Sequence, residues 1–525
     1  MAIDLRPLLP ALLLALVLPA CTVGPDYQSP SPFSPASWFR SSGASTPAIR
    51  QASLPVPEPV DPEWWATFND PLLTSLMRRV AGANLDVRTA SIRLAESRAQ
   101  RGVAAADEFP QVNGNASYTR ERISPRGVVG VFGGGSGGSP ATGNNGSSIA
   151  TTSNGVGGRQ GGLPSGGAIP PFDLFQGGFD ATWELDLWGR VRRAVESADA
   201  NVDASAENRR NMLLTALSEL ARDYIQLRGI QETKRITLRN LATAQDSAHL
   251  TAERQRGGLG TDLEVAQAQQ QVETTAANLP QLDQQEAQMQ NAIALLLGAP
   301  PGALQAELSP QKPVPPVPPT VPIGLPSQLV QRRPDIRQAD AQLHAATADI
   351  GQATADFFPR VTLSGSFALQ AIQFKDLGNW NSRTYGLGPS IQLPIFEGGR
   401  LRRTLDLRKA QQQEAAIQYQ RVVLGAFHDV DNSLIAYRTE QQRRDRLKAS
   451  ADQARRALSL AQSQYKAGLA TFLDVLTAQR TVLSAEQQLS DSTATISTNL
   501  VALYKALGGG WEPSYALTPG TRPEG

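Results

Sequence analysis

Side chains that do chemistry in enzymes are sparse in this chain. It has 525 residues, with one cysteine and three histidines that are spread far apart. The histidines are His249, His344 and His428. The sequence contains no Ser-His-Asp order, HExxH helix, phosphate-binding glycine loop or zinc-ligand spacing. It therefore predicts a protein that is not an enzyme and that needs no metal or cofactor.

Two carboxylates stand out because they occupy equivalent places. Glu264 follows Gly258 by six residues, and Asp474 follows Gly468 by six. Carboxylates held close together repel one another and favour bound cations or protonation, so this pair could constrict a passage and set its cation preference. The alternative is that both are solvated acids in the first turn of a helix, where the helix dipole stabilises them.

The single cysteine, Cys21, lies where a secretory signal peptide would be cut. The apolar run from Leu8 to Ala20 follows Arg6 and is too short for a bilayer, which needs ~20 residues. This placement resembles a bacterial lipobox, in which the cysteine is acylated and begins the mature chain. Thr22 after it is compatible, by analogy with lipoprotein sorting, with transfer to the outer membrane. The alternative is an ordinary signal peptide with an incidental cysteine.

The overall charge is almost balanced, with 49 lysines and arginines against 48 aspartates and glutamates. A net charge of +1 provides no field that would gather a polyanion, so nucleic acid is not an expected partner. After the signal peptide no segment reaches 18 consecutive apolar residues, and no transmembrane helix is predicted. An exported chain of this kind can be periplasmic, lipid-anchored or a β-barrel.

An internal duplication organises the chain. Gly258 corresponds to Gly468, 210 residues later, and Asp86 corresponds to Asp335, 249 residues later. The difference of 39 residues is an enlarged loop in the first copy, which contains the Gly/Ser/Asn-rich run 127–171. Each copy has the pattern helix, strand, loop, strand, very long helix, break and helix.

The duplication predicts the organisation of the whole chain, with a stiff Pro-rich linker between the two copies. The predicted segments are a signal peptide at 1–20, a lipidated N-terminal coil at 21–70, repeat 1 at 71–298, the linker at 299–326, repeat 2 at 327–510 and a C-terminal tail at 511–525.

The longest helical segments, roughly 190–256 and 400–466, would each reach about 100 Å at 1.5 Å per residue. Helices of this length in soluble domains pack as coiled coils or helical tubes. Glycine permits the turns near Gly258 and Gly468. These turns are therefore the ends that lie furthest from the strands.

Four segments of about ten residues alternate apolar and polar side chains. A strand with lipid on one side and water on the other needs this length and this alternation. An amphipathic sheet over a soluble core is the alternative for each strand taken alone. The apolar positions are Val112, Gly114, Ala116 and Tyr118; Phe179, Ala181, Trp183, Leu185 and Leu187; Val361, Leu363, Phe367 and Leu369; and Leu387, Ile391, Leu393 and Ile395.

Four strands cannot close a membrane barrel, since such barrels start at about eight strands. An open strand edge in lipid leaves backbone N–H and C=O groups without hydrogen bonds and is very costly. If the strands cross a membrane, the chain must therefore associate with further copies of itself.

Several short motifs, in matching order over nearly the whole mature chain, resemble the TolC-like outer-membrane efflux proteins, in particular their lipoprotein branch of the OprM/NodT type. The motifs are Cys21-Thr22-Val23-Gly24-Pro25-Asp26-Tyr27; Trp64-Trp65 with Phe68; Arg333-Pro334-Asp335-Ile336-Arg337; Phe396-Glu397-Gly398-Gly399-Arg400; Tyr465-Lys466-Ala467-Gly468; and Leu503-Tyr504-Lys505-Ala506-Leu507-Gly508-Gly509-Gly510-Trp511.

The resemblance implies a mainly α protein with transmembrane β-strands, in which three identical protomers each give four strands to a twelve-stranded outer-membrane β-barrel. Their long helices would form a periplasmic α-helical barrel. A periplasmic adaptor (membrane fusion) protein would connect this conduit to an inner-membrane efflux pump, of the RND type, and drugs or other small molecules would pass outwards. The expected location is the bacterial outer membrane, where the chain is lipid-anchored and contacts outer-membrane lipid.

The same resemblance implies a periplasmic gate at the helix breaks, where Tyr465 is similar to a gate residue of the family. Gly258, Gly468, Leu259 and Leu469 become candidates for the turns that contact the adaptor. The chain has Thr477 and Ala470 where the family has a second acid and an arginine, so the family's lock between protomers is either absent here or formed by other residues. Two alternatives stay open: an outer-membrane conduit for type I protein secretion, and a periplasmic coiled-coil scaffold without a pore.

Overall fold

The structure, a computed structural model, describes residues 22–31, 35, 38, 53–122 and 171–515. The predicted signal peptide, Cys21 and nearly all of the Gly/Ser/Asn-rich run lie outside these residues.

Helices dominate the described residues, and equivalent helices of the two copies have equal lengths. Helices α3 and α8 have 67 residues each, α4 and α9 have 35 each, and α2 and α7 have 22 each. The tandem repeat predicted from sequence is therefore present. The helices are α1 (Pro71–Ala83), α2 (Leu85–Ala106), α3 (Arg190–Arg256), α4 (Asp262–Leu296), α5 (Gln305–Leu308), α6 (Pro326–Arg332), α7 (Pro334–Ala355), α8 (Arg400–Lys466) and α9 (Phe472–Ala506).

The four predicted strands form one antiparallel sheet in the order β2-β3-β5-β6. Strand β3 begins at Phe172, seven residues before the predicted alternation, and strand β6 ends at Gln392, before Leu393 and Ile395. The alternation therefore located the strands and misplaced some of their ends. The strands are β1 (Leu54–Val56), β2 (Gln111–Glu121), β3 (Phe172–Leu185), β4 (Thr320–Pro322), β5 (Arg360–Ala371) and β6 (Arg383–Gln392).

A second, small sheet was not predicted. Strand β1 pairs in parallel with β4, and Pro55 lies opposite Val321, which is fully buried. These strands belong to two segments that the sequence predicts as coil and as an extended linker. Pairing between residues more than 250 positions apart leaves no local pattern in the sequence, which is why it was missed.

The contacts divide the chain into two compact units, and each unit takes residues from both copies. Of the described residues, the first unit contains those up to 104, those in 189–355 and those from 397 onwards, and the second contains those in 105–188 and 356–396. The second unit holds the four-stranded sheet.

The main hydrophobic core of the first unit contains the aromatic residues of the motifs near the two ends of the chain. Trp64 stacks on Tyr504 with ring centres 5.1 Å apart, and its indole N–H donates to Gly509 O at 3.1 Å. Trp511 is also buried there. The double tryptophan and the C-terminal motif are therefore explained by packing. Among the described residues, no helix combines the length and hydrophobicity required to cross a bilayer.

Candidate functional site: the helix tips and the sheet faces

The turn between α3 and α4 and the turn between α8 and α9 have the same geometry. Leu259 N–H donates to Arg254 O at 2.8 Å, and Leu469 N–H donates to Gln464 O at 2.8 Å. Each bond closes the C-terminal end of a long helix in the manner of a Schellman motif. Gly258 and Gly468 have φ angles of 74° and 76°, a left-handed conformation that a side chain disfavours. We call these two turns, with the first residues of α4 and α9, the helix tips.

Both helix tips expose leucines to solvent. Leu259 is 73% exposed and Leu469 is 81% exposed. The structure adds Leu263 and Leu473, in the first turns of α4 and α9, which are exposed as well and which the sequence analysis missed. The repeat offset of 210 residues could have identified them, because each lies four residues after a tip leucine. Clustered exposed apolar side chains are typical of a surface that binds another protein.

The two predicted gate carboxylates cap their own helices. Glu264 Oε2 accepts from Thr261 N–H at 3.3 Å, and the Thr261 hydroxyl accepts from Glu264 N–H at 3.3 Å. Asp474 Oδ2 accepts from the Thr471 hydroxyl at 2.7 Å and from Thr471 N–H at 2.9 Å. These donors lower the pKa of Asp474. The structure therefore gives both acids a place in the first helical turn, as the alternative interpretation expects, and their role in a gate stays a prediction.

Tyr465 is the predicted gate residue that is deeply buried, with 3% of its surface exposed. Its ring packs against Phe472, with centres 5.6 Å apart. Its hydroxyl oxygen lies 3.5 Å from Glu264 Oε2, at the outer limit of a hydrogen bond. Burial and the nearby Glu264 carboxylate raise the pKa of Tyr465. The structure thus brings Tyr465 and Glu264 together across the two repeats.

Arg254, beside the helix tips, is a further residue that the sequence did not indicate. Its guanidinium carbon lies 4.5 Å from the centre of the Tyr465 ring, and its Nη1 donates to Tyr465 O at 2.9 Å. It thereby caps the C-terminal end of α8 while belonging to the last turn of α3. A basic residue in a last helical turn is a visible signal, but the sequence does not show that Arg254 serves a helix of the other repeat.

The strand register sorts the side chains of the four-stranded sheet onto two faces. Phe179 lies opposite Gly114 and Phe367, and Phe367 lies opposite Tyr385, so these four residues share one face. We call it the apolar face. Its further members from the same register are Val112, Ala116, Tyr118, Phe175, Gly177, Ala181, Trp183, Leu185, Val361, Leu363, Gly365, Leu369, Ala371, Leu387, Pro389 and Ile391.

The opposite face is polar. Asp180 lies opposite Asn113 and Ser366, and Thr182 lies opposite Gln111 and Ser364. The amide of Asn113 donates to Asp180 at 3.4 Å. The division holds along most of each strand, so the predicted alternation is confirmed as one mainly apolar and one mainly polar face; at the end where β2 finishes, Arg120, Asp173 and Arg383 lie on the apolar face and Phe172 and Leu174 on the polar face.

The segment that follows Cys21 is held by several contacts within the first unit. Arg193, whose side chain is 5% exposed, donates to Asp26 at 2.5 Å. Tyr27 stacks on His344 with ring centres 4.3 Å apart, and its hydroxyl donates to Asp340 at 2.6 Å. Burial and the Asp340 carboxylate raise the pKa of Tyr27. These contacts explain why the motif after the cysteine has an acid and an aromatic residue at these places.

A four-stranded sheet with one mainly apolar face, in a tandem repeat whose helices run for 67 residues, is typical of proteins that combine membrane β-strands with long helices. The chain belongs to the outer membrane efflux protein family, whose sequence profile matches residues 76–299 and 325–509.

Individual relatives agree with this assignment. The chain is 33% identical to the pyoverdine export outer membrane protein OpmQ of Pseudomonas aeruginosa, over 86% of this chain and 88% of that protein. It is 32% identical to the outer membrane protein OprJ of the same organism, over 97% and 96%. The solved structure of the outer-membrane channel OprN has a TM-score of 0.80 and 33% identity, covering 94% of this chain and all of that chain.

These findings confirm the family resemblance, the fold class and the location in the outer membrane that the sequence predicted. They also confirm the predicted function, an outer-membrane channel of an efflux system. The relatives are channel and transport proteins.

Proposed function

We propose that this chain works as a homotrimer. The sheet has two edges, β2 and β6, whose outer backbone groups have no strand beside them among the described residues. An unpaired edge in lipid is very costly. Pairing β6 of one copy with β2 of the next removes every edge when three copies close a twelve-stranded barrel, with the apolar face towards lipid and the polar face towards water.

In this arrangement the long helices continue the channel into the periplasm. At 1.5 Å per residue, α3 and α8 each span about 100 Å. The helix tips then meet a periplasmic adaptor, to which the exposed Leu259 and Leu469 offer apolar contacts. The adaptor connects the channel to an inner-membrane pump of the RND type, which selects the drugs or other small molecules that pass through.

We also propose that the helix tips form the periplasmic gate. Three copies would place three Asp474 and three Glu264 carboxylates around the channel axis, and would favour cations there. Tyr465 and its contact with Arg254 would hold each tip in the closed position. The lipid attachment site is Cys21, and the contacts of Asp26 and Tyr27 support a fixed position for the chain that follows the anchor.

The main support for a trimeric channel is that one face of the sheet is apolar while its four strands are too few to close a barrel by themselves. The test is to purify the full chain in detergent and to determine its mass by multi-angle light scattering. A trimer that inserts into planar bilayers and conducts ions is expected. A chain that stays monomeric, or that stays soluble and monodisperse without detergent, would contradict the proposal.

A further inference from the structure

The apolar face ends in a group of aromatic and basic side chains. At this end β2 finishes and β6 begins, whereas the chain leads into α3 and α8 from the other ends of β3 and β6. Phe374 packs edge-on against Phe175, with ring centres 5.5 Å apart, and Phe175 packs against Tyr118 at 5.0 Å. Phe374 is exposed, as is Trp380 in the same loop. Aromatic rings at the end of a membrane strand lie at the level of the lipid headgroups.

Two arginines sit beside these rings on the same side of the sheet. Arg383 belongs to the apolar face by its pairing with Leu369, and its guanidinium carbon lies 4.6 Å from the centre of the Trp380 ring. Arg120 shares a face with Tyr118 by alternation and lies opposite Asp173. A cation among apolar side chains at the membrane surface is stabilised by an anionic lipid headgroup.

The acidic residues near Arg120 and Arg383 leave both guanidinium groups accessible to an anionic ligand. Asp173 accepts from the Tyr118 hydroxyl at 2.9 Å and lies 3.6 Å from Arg120, whose side chain is still 66% exposed. Asp376 accepts from the Asn379 amide at 3.3 Å. Glu121 follows Arg120 in β2, so its side chain lies on the opposite, polar face of the sheet.

The two arginines occupy the two edge strands of the sheet, Arg120 on β2 and Arg383 on β6. When identical sheets close a barrel by pairing β6 with β2, Arg383 of one copy and Arg120 of the next stand on neighbouring strands at the same end. The trimer therefore has three such places, and each is incomplete in a single chain.

We infer that each of these places binds the phosphate of a phosphorylated lipid in the outer leaflet, with Arg120 and Arg383 as phosphate donors and Tyr118, Phe374 and Trp380 as contacts to the acyl and sugar parts. Arginine suits this ligand because its planar guanidinium donates two parallel hydrogen bonds to phosphate. The inference rests on the proposed trimer, because the two arginines meet only between copies.

The test is a titration of the purified trimer with bisphosphorylated lipid A, followed by native mass spectrometry. We expect three strongly bound lipids per trimer. The double variant Arg120→Gln/Arg383→Gln should weaken binding roughly 100-fold, about tenfold for each charge-assisted phosphate contact. The matched control, Arg403→Gln at an exposed arginine on α8, should bind like the unchanged protein.

Two further samples separate charge from folding. The first is Arg120→Lys/Arg383→Lys, which keeps the charge and should lose less affinity for the phosphorylated lipid than the glutamine variant. The second is lipid A without phosphates, which should bind no more strongly to the unchanged protein than to the glutamine variant. Equal binding of the phosphorylated lipid by the unchanged and glutamine variants overturns the inference, as does equal binding of both lipids to the unchanged protein. If the unchanged protein is a monomer, both the proposed trimer and this inference are wrong. The mass of the protein in the same spectra distinguishes this result from a trimer that does not bind the lipid.

Discussion

Arg254 and Tyr465 are linked in two ways at the helix tips. The Arg254 guanidinium lies over the Tyr465 ring at 4.5 Å and also donates to the Tyr465 backbone carbonyl at 2.9 Å. Arg254 lies in the last turn of α3, in repeat 1, and Tyr465 lies in the last turn of α8, in repeat 2, so this pair joins the ends of two long helices that are 210 residues apart in sequence.

Replacing Arg254 by alanine removes both links. We expect the tip of α8 to open more often, with amide hydrogen exchange around residues 465–471 faster by roughly tenfold, since a hydrogen bond from a charged donor contributes about 1.5–3 kcal/mol. Arg256→Ala removes a neighbouring exposed arginine and is the control. Unchanged exchange in Arg254→Ala would show that the pair does not hold the tip.

Replacing Asp474 and Glu264 by alanine tests the proposed gate. Loss of six carboxylates from a trimer should lower cation selectivity and change single-channel conductance in planar bilayers. Asp262→Ala removes another first-turn acid of α4 that takes no part in the capping box, and it is the control for the loss of a tip carboxylate in general. Because the pKa of Asp474 is lowered, its charge should persist as the pH falls through the ordinary aspartate range and be lost only below it. If conductance and selectivity stay the same, the two acids only cap helices.

Replacing Gly468 by alanine tests the turn itself. An added Cβ meets no atom within 4 Å, so the cost is the left-handed backbone, about 1–2 kcal/mol. We expect trypsin to cut after Lys466 roughly tenfold faster. The matched control is Gly425→Ala, which also adds a Cβ in open space. Gly425 lies inside α8, where alanine favours the helix. Equal cleavage in both variants would argue against a strained turn.

Placing glutamates at Leu259 and Leu469 tests the proposed adaptor contact. A buried, unpaired carboxylate in an apolar interface is costly, so export of ethidium by cells should fall to the level of a strain without the channel. Trimer abundance in the outer membrane should stay unchanged, because these leucines are exposed in the protein itself. Leu238→Glu, on α3 away from the tips, should keep export. Normal export by the tip variant would exclude these leucines as the contact.

Tyr504 makes the fold sensitive to alkaline pH. Burial raises its pKa to about 12, from an ordinary value of 10. A raised folded pKa contributes stability that is complete below pH 10 and is lost as the pH rises towards 12, by about 3 kcal/mol. Tyr504→Phe keeps the stacking on Trp64 and removes the ionisation. We expect the variant to lose less thermal stability than the unchanged protein between pH 9 and pH 11, measured by circular dichroism; an equal loss would assign the sensitivity to other groups.

The tip site was only partly predictable. The repeat identified Gly258, Gly468, Glu264 and Asp474, because glycine breaks and first-turn acids leave local patterns. The capping of each helix by its own acid also follows from local spacing. The contact of Tyr465 with Glu264 does not, since it depends on how two helical pairs lie beside one another.

The duplication, the lengths of the long helices and the two faces of each strand were predictable from the sequence. The duplication is visible as motifs that recur at a fixed offset, and the helices and strands follow periods of 3.6 and two residues, which the side chains of one segment display without help from any other. The predicted bounds 190–256 and 400–466 agree with α3 and α8 for this reason.

Which distant residues contact one another became known from the three-dimensional structure. The pairing of β1 with β4, the position of Arg254 over Tyr465 and the docking of Asp26 on Arg193 each join segments more than 150 residues apart. Such contacts depend on the packing of whole helices and strands, where many arrangements satisfy the same local pattern and their relative free energies select one.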